Sequence, residues 1–310
     1  MATKTAVASS AWSRWRRVAG VDIGRAAIKI VVLQRTLWRW RLEAFDVVAL
    51  KSTGADEVQQ TLAVMLARLQ AQPTVVATCM PATQALIQNL KLPGPVSDTE
   101  LETWTMEAAR TQLPCAITDV FVDFYRLEEN NSVLLAAMRK DAAQRHIAAF
   151  RDCVLSPAIL DLDVLALRRS AGHAVTDGNR MLIVDVGATS VRLHALQGVQ
   201  IIFSREQLTS GLQGLPLPDL RRRLVQEIRR VLQLFLASSA SGTWPCILLA
   251  GGYAGVQDIQ NQVAEHTGMQ VVLANPFHAM TIRPGLDQSK LATLQTCLAQ
   301  ACGLAMSKVC

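Results

Sequence analysis

Residues 21–34 read VDIGRAAIKIVVLQ, and residues 184–197 read VDVGATSVRLHALQ. Both fit V-D-[IV]-G-x-x-x-[IV]-[KR]-[IL]-x-x-L-Q, at a constant offset of 163 positions. Self-similarity across half a chain is the mark of two related units. Each copy predicts a strand, a D-x-G turn, a return strand and a third strand. The first copy runs on through Trp38, Trp40, Leu42 and Ala44, alternating with charged residues; the second runs into Ile201-Ile202-Phe203. A glycine in such a turn lets the backbone approach a phosphate and point N–H groups at it. An Asp at the strand end can hold a hydrated Mg²⁺. One Asp-Gly turn is ordinary hairpin chemistry. Two in matching context describe two similar domains facing each other across a cleft.

A third element fits that cleft. Residues 246–252, Cys-Ile-Leu-Leu-Ala-Gly-Gly, are an apolar strand ending in Gly251-Gly252. A helix pattern follows, with Val256, Ile259 and Val263 on one face and Gly268 as its cap. A strand–GG–helix junction would let a ligand lie against bare backbone at a helix N-terminus. Elsewhere the spacing predicts helices over 55–70, 98–113 and 163–172. It predicts two more over 219–236 and, as a single last helix, 290–307. Ser97 with Glu100 is a capping-box signature for the second of these, and Pro114 ends it. Residues 79–93 read as a further pair of strands, 119–128 and 132–138 as two more.

The chain has 310 residues, enough for two compact units. Half of it is hydrophobic and 18% is charged, which excludes global disorder. No apolar run approaches the ~18–20 residues of a membrane span, and the N-terminus lacks the apolar core of a signal peptide. Seven scattered cysteines, without zinc or redox spacing, read as reduced thiols. The five histidines share no ligand spacing, so no metal is expected beyond a nucleotide-bound Mg²⁺. The net charge of +6 is uneven. Residues 1–41 carry +8 and the remainder −2. Trp12 and Trp15 lie among Arg14, Arg16 and Arg17, a pattern open to anionic lipid, to nucleic acid or to a solvated tail. The arginines of 221–230 lack interleaved aromatics, so nucleic acid is not the expected partner.

In order along the chain, these features resemble the actin-like ATPase superfamily, and within it the PilM family of type IV pilus assembly proteins, itself similar to FtsA. The resemblance spans roughly residues 18–308. Besides VDIG and VDVGAT, it rests on MPATQALIQNLKLP (80–93), VLLAAMRKD (133–141) and ILDLDVLAL (159–167). It rests further on IIFSREQL (201–208), LLAGG…LANPF (248–277) and ACGLAM (301–306). It implies an α/β, duplicated, ribonuclease H-like two-lobe fold. The implied division is a basic tail over 1–17, a first lobe over 18–172 with an insert at about 79–162, a linker over 173–180 and a second lobe over 181–310. It implies that Asp22 and Asp185 flank the phosphates of ATP with Mg²⁺. Gly24 and Gly187 would supply N–H groups, Lys29 and the Thr189 hydroxyl would reach phosphate, and Gly251 and Gly252 would line the nucleoside.

Two departures argue for a degenerate site. The first turn carries Arg25-Ala26-Ala27 where the family places hydroxyls; Arg25 either adds charge to a phosphate site or plugs an empty one. After REQL (205–208), only TSGLQGLPLPD precedes the amphipathic helix, where the family has a longer subdomain that walls the adenosine. Several charge-assisted contacts are thereby lost, each worth about 1.5–3 kcal/mol, so weak or absent ATP binding is expected. The implied function is a cytoplasmic scaffold on the inner membrane, recruited by the N-terminal tail of a PilN-like bitopic protein, with other platform or motor proteins as further partners. In the family that tail lies between the first lobe and its insert. The alternatives are an active actin-like ATPase, or the equivalent platform protein of a DNA-uptake or type II secretion system.

Overall fold

The structure, a computed structural model, describes residues 17–37, 39–94, 96–127, 131–172, 180–238 and 244–307. Trp38, the tail with Trp12 and Trp15, and all of the expected linker except Arg180 lie outside the described residues.

Three antiparallel strands open each half. They are β1 (Arg17–Ile23), β2 (Ala27–Arg35) and β3 (Trp40–Ala49) in the first half. In the second half, β9 (Arg180–Val186), β10 (Ser190–Gln197) and β11 (Gln200–Leu208) repeat the arrangement. β4 (Val75–Met80) pairs in parallel with β1, and β8 (Ile159–Leu162) with β4. β12 (Cys246–Ala250) and β13 (Gln270–Leu273) extend β9 in the same way. The two sheets therefore share one order, β3-β2-β1-β4-β8 and β11-β10-β9-β12-β13. Even the irregularity recurs: the ladder slips between Val32 and Leu33 in one copy and between Ala195 and Leu196, 163 positions on, in the other. Every residue of β4 and β12 is buried, as parallel strands covered on both faces must be.

Amphipathic helices cover the sheets. α1 (Ala55–Arg68) turns Leu62, Met65 and Leu66 onto the first. α5 (Leu217–Ala237) turns Leu224, Ile228, Val231 and Phe235 onto the second, where the Phe235 ring meets Phe203 and Trp244 edge-on at 5.2 and 5.4 Å. Only residues 209–216 join β11 to α5.

Between β4 and β8 the chain builds a separate three-stranded sheet of β5 (Ala85–Lys91), β7 (Ser132–Arg139) and β6 (Val120–Leu127) in spatial order. α2 (Asp98–Gln112) packs on it through Leu101 and carries the expected capping box at Ser97. α3 (Lys140–Ala148) leads back toward β8. The strands read at 79–93 thus belong to different sheets. The chain leaves the large sheet at Met80, where Pro81 has no N–H to continue the ladder, and the Asp163 carboxylate takes the Ala82 N–H at 2.8 Å.

The C-terminal segment also departs from expectation. Residues 290–307 are two helices, α7 (Gln288–Leu294) and α8 (Ala299–Ala305). The break falls where the Thr296 carbonyl accepts the Gly251 N–H at 2.9 Å instead of serving a helical ladder. Nor does all of 181–310 pack with the second sheet. Phe277, Leu291, Leu298, Ala301 and Cys302 pack on Val31, Leu33 and Leu42, and β14 (Thr281–Ile282) pairs with β3. α8 reaches so close that a Cβ on Gly20 would lie 1.9 Å from the Ala301 carbonyl, and one on Gly303 1.7 Å from that of Ala166, in α4 (Asp163–Ala171). The two halves also share a core, with Met80, Leu162 and Leu167 packed among Met181, Ile183, Leu196 and Leu248. Among the described residues, no helix is long and apolar enough to cross a membrane.

Candidate functional site

The nine residues singled out from the sequence line one cavity of about 490 Å³ where the β1–β2 and β9–β10 turns face each other. The antiparallel registers set their chemistry. Asp22 sits directly across from Lys29, and Asp185 directly across from Arg192. The Lys/Arg position of the repeat is therefore the cross-strand partner of its Asp. Lys29 Nζ lies 2.7 Å from Asp22 Oδ2. Arg192 donates from Nη2 to Asp185 Oδ2 and from Nη1 to Asp163 Oδ2. The other Asp163 oxygen accepts the Ala82 and Val164 N–H groups. Gln300 Nε2 donates to Asp22 Oδ1 at 2.9 Å and lies 3.2 Å from Cys79 Sγ.

All three aspartates are buried, Asp163 at 1% exposure, so these contacts are what make their charges tolerable. Burial by itself would lower the pKa of Lys29; the charge and hydrogen bond of Asp22, with Asp185 beyond, overcome it and raise the pKa. Arg192 behaves alike, burial opposing and Asp185 and Asp163 prevailing. Burial pushes the Cys79 thiol well up, which leaves it inert, and pushes Cys297 up to about 11.

Several expected roles change in this light. Lys29 does not stand free for a phosphate, because its ammonium is held on Asp22. The N–H groups of Gly24 and Gly187 are spent inside their own turns, on Ala27 O at 3.0 Å and Ser190 O at 2.9 Å. Gly251 gives its N–H to Thr296. Its φ of +98° and the 2.4 Å between a built Cβ and Asp185 Oδ1 show why glycine stands there: the chain passes against the carboxylate. The expected helix does not begin at Gly251-Gly252. Turns fill 253–258, and α6 (Ile259–Thr267) starts only afterwards. Gly252 opens on free space, Thr189 lines the wall, and Arg25 is exposed at the rim.

The sequence reading missed Asp163, Arg192, Gln300 and His146, all on the cavity wall. Arg192 carried a signal, being the repeat's counterpart of Lys29. The other three come from distant parts of the chain and carried none. His146 Nε2 lies 2.9 Å from Thr78 Oγ1, whose hydroxyl donates to Val21 O. Burial lowers the His146 pKa against the pull of Asp22.

Chemically, the three buried aspartates of the cavity are already paired with the protein's own cations, Lys29 and Arg192. A divalent ion taking Asp22 or Asp185 must displace an ammonium or a guanidinium. A second cavity of about 500 Å³ differs in kind. It runs between the insert sheet and β8, lined by Phe121–Tyr125, Leu134, Ala136, Pro157–Ala158, Leu160 and Leu165. Phe121 is 47% and Tyr125 60% exposed along its edge.

Comparison with known proteins adds the following. The family model described as type IV pilus assembly protein PilM matches residues 20–214 and 217–309. A solved PilM-PilN type IV pilus biogenesis complex contains a chain of similar fold, with a TM-score of 0.74 and 21% identity over 93% of this chain and 97% of that one. The ethanolamine utilization protein EutJ from Carboxydothermus hydrogenoformans is similar at a TM-score of 0.51 and 14% identity, over 94% of this chain and 89% of that one. The fold is the actin-like two-lobe fold that the resemblance implied.

Proposed function

Since the chain belongs to the PilM family of type IV pilus assembly proteins, we propose that it is a scaffold on the cytoplasmic face of the inner membrane. The N-terminal tail of a PilN-like bitopic protein would recruit it there. PilM is found with PilN in the solved complex, and the largely apolar groove between the first lobe and the insert of the present chain is the site assigned to the tail under this reading. One observation carries the reading. Both aspartates of the two D-x-G turns are ion-paired from within, by Lys29 and Arg192, so their charges have partners without a nucleotide. The eight-residue connection 209–216 supports it from the other end, being too short to wall an adenosine.

If ATP with Mg²⁺ enters, Asp22 and Asp185 are the groups that would meet the metal, and Thr189, Arg25 and Gly252 those that would line the nucleotide. Its entry would cost two buried ion pairs, so binding is weak and turnover slow. The test of recruitment is flotation with membranes. The protein expressed alone is expected to stay with the soluble fraction, and beside its PilN-like partner to float. Equal flotation in both strains would sink the recruitment model.

A further inference from the structure

The groove that the proposed function assigns to the tail has a graded wall, and the grading says what the tail must carry. β6 is an edge strand, paired with β7 alone among the described strands, and its residues alternate between exposed and half-buried. Phe121, Asp123 and Tyr125 share the exposed face. Across the ladder they stand opposite Met138, Ala136 and Leu134. The outer two pairs are large and apolar. The middle pair is an aspartate over an alanine. That leaves a notch above the Ala136 methyl, walled on both sides by exposed aromatic rings, with one carboxylate at its lip.

The carboxylate is held in place. Asp123 Oδ1 accepts the Phe124 N–H at 2.8 Å, which leaves Oδ2 for a partner. Within the protein, Lys140 sits over the Phe121 ring at 5.6 Å but gives its hydrogen bond to Thr118 O, and Arg126 pairs with Asp98. Asp161, the other acid of the groove, is taken by Arg169. Among the described residues, Asp123 is therefore the acid of the groove that no cation pairs with.

We infer that Asp123 is a specificity determinant of this groove: it takes the head of a Lys or Arg side chain in the partner's tail, whose stem lies in the notch over Ala136 between Phe121 and Tyr125. The aliphatic stem of a Lys or Arg suits an apolar notch, and a cation beside aromatic faces gains further attraction. A terminal ammonium has no aliphatic stem to fill the notch, so a side chain suits it better than the tail's own N-terminus. In an extended tail, neighbours two positions away on either side meet the Phe121–Met138 and Tyr125–Leu134 pairs, so these are apolar.

The inference rests on the tail-binding reading, and one titration separates the two. Synthetic peptides of the PilN-like partner's cytoplasmic tail are titrated against the full chain by fluorescence anisotropy. Asp123→Asn keeps the shape and the acceptor for the Phe124 N–H, and is expected to weaken binding about tenfold. Replacing one basic residue of the peptide by Met should cost the wild-type protein the same factor, and Asp123→Asn nothing more. Acetylating the peptide's N-terminus should change nothing. If the peptide binds the wild type and Asp123→Asn equally, or if acetylation abolishes binding, the assignment to Asp123 and a side-chain cation is overturned while tail binding stands. If the wild type does not bind the tail at all, both fall.

Discussion

At the scale of single residues, the cleft is decided by Arg192. Its guanidinium joins Asp185, on the strand beside it, to Asp163, at the start of a helix in the other half of the chain. Replacing one partner of a buried charge cluster costs more than the cluster contributes, because the remaining charges stay behind unpaired. Arg192→Met leaves Asp163 and Asp185 buried without their cation. It is expected to lower the unfolding free energy by about 3–5 kcal/mol, measured by urea denaturation. An unchanged midpoint would mean that the aspartates are served by other groups. The repeat pattern contained this residue and its equivalence to Lys29. What it lacked was Asp163: the two positions are 29 apart in sequence, one at the start of α4 and the other in β10, so no local period connects them. Gln300, 278 positions from Asp22, is hidden for the same reason.

At the scale of elements, the strands were the legible part. The apolar strand read at 246–252 became β12, buried throughout, and the stretches read at 119–128 and 132–138 became β6 and β7. Capping chemistry placed the start of α2 at Ser97. The misreadings share one cause. A helical stripe over 290–307 is genuine, since Leu291, Leu298 and Ala301 all pack inward, yet the backbone breaks where Thr296 is claimed by Gly251. Likewise the stripe Val256, Ile259, Val263 is real packing, but 253–258 are turns, with Tyr253 N–H bound to Val186 O and Asp258 at a φ of +67°. Periodicity reports which side chains face the core. It does not report a backbone hydrogen bond given to a strand end far away, and such bonds form where the chain crosses the cleft.

At the scale of the whole molecule, the two halves are joined by a shared apolar core, by the Arg192 bridge and by the C-terminal segment packed on the first sheet. His194 is buried at that junction, bonded through Nδ1 to Ser204 Oγ, with Asp163, Arg192, Asp185 and Glu206 around it. Burial lowers its pKa below the ordinary 6.5, as it does for His146. The unfolded chain then binds protons that the folded one refuses. Stability is full above pH about 6.5 and falls as pH drops through it, by up to about 1.4 kcal/mol per unit for each histidine. Urea midpoints at pH 7.5 and 5.5 should show that loss, and His194→Gln should reduce it. A midpoint indifferent to pH would place the histidines elsewhere than in the folded interior. Halves joined in this way suit a body that is carried to a membrane and held there, more than one that opens and closes around a nucleotide. The most direct measurement is therefore the affinity of the full chain for the PilN-like tail peptide with and without saturating Mg-ATP. The same dissociation constant is expected in both. Binding that appears only with Mg-ATP, and is lost in Asp185→Ala, would contradict it and make the cleft the driver of assembly.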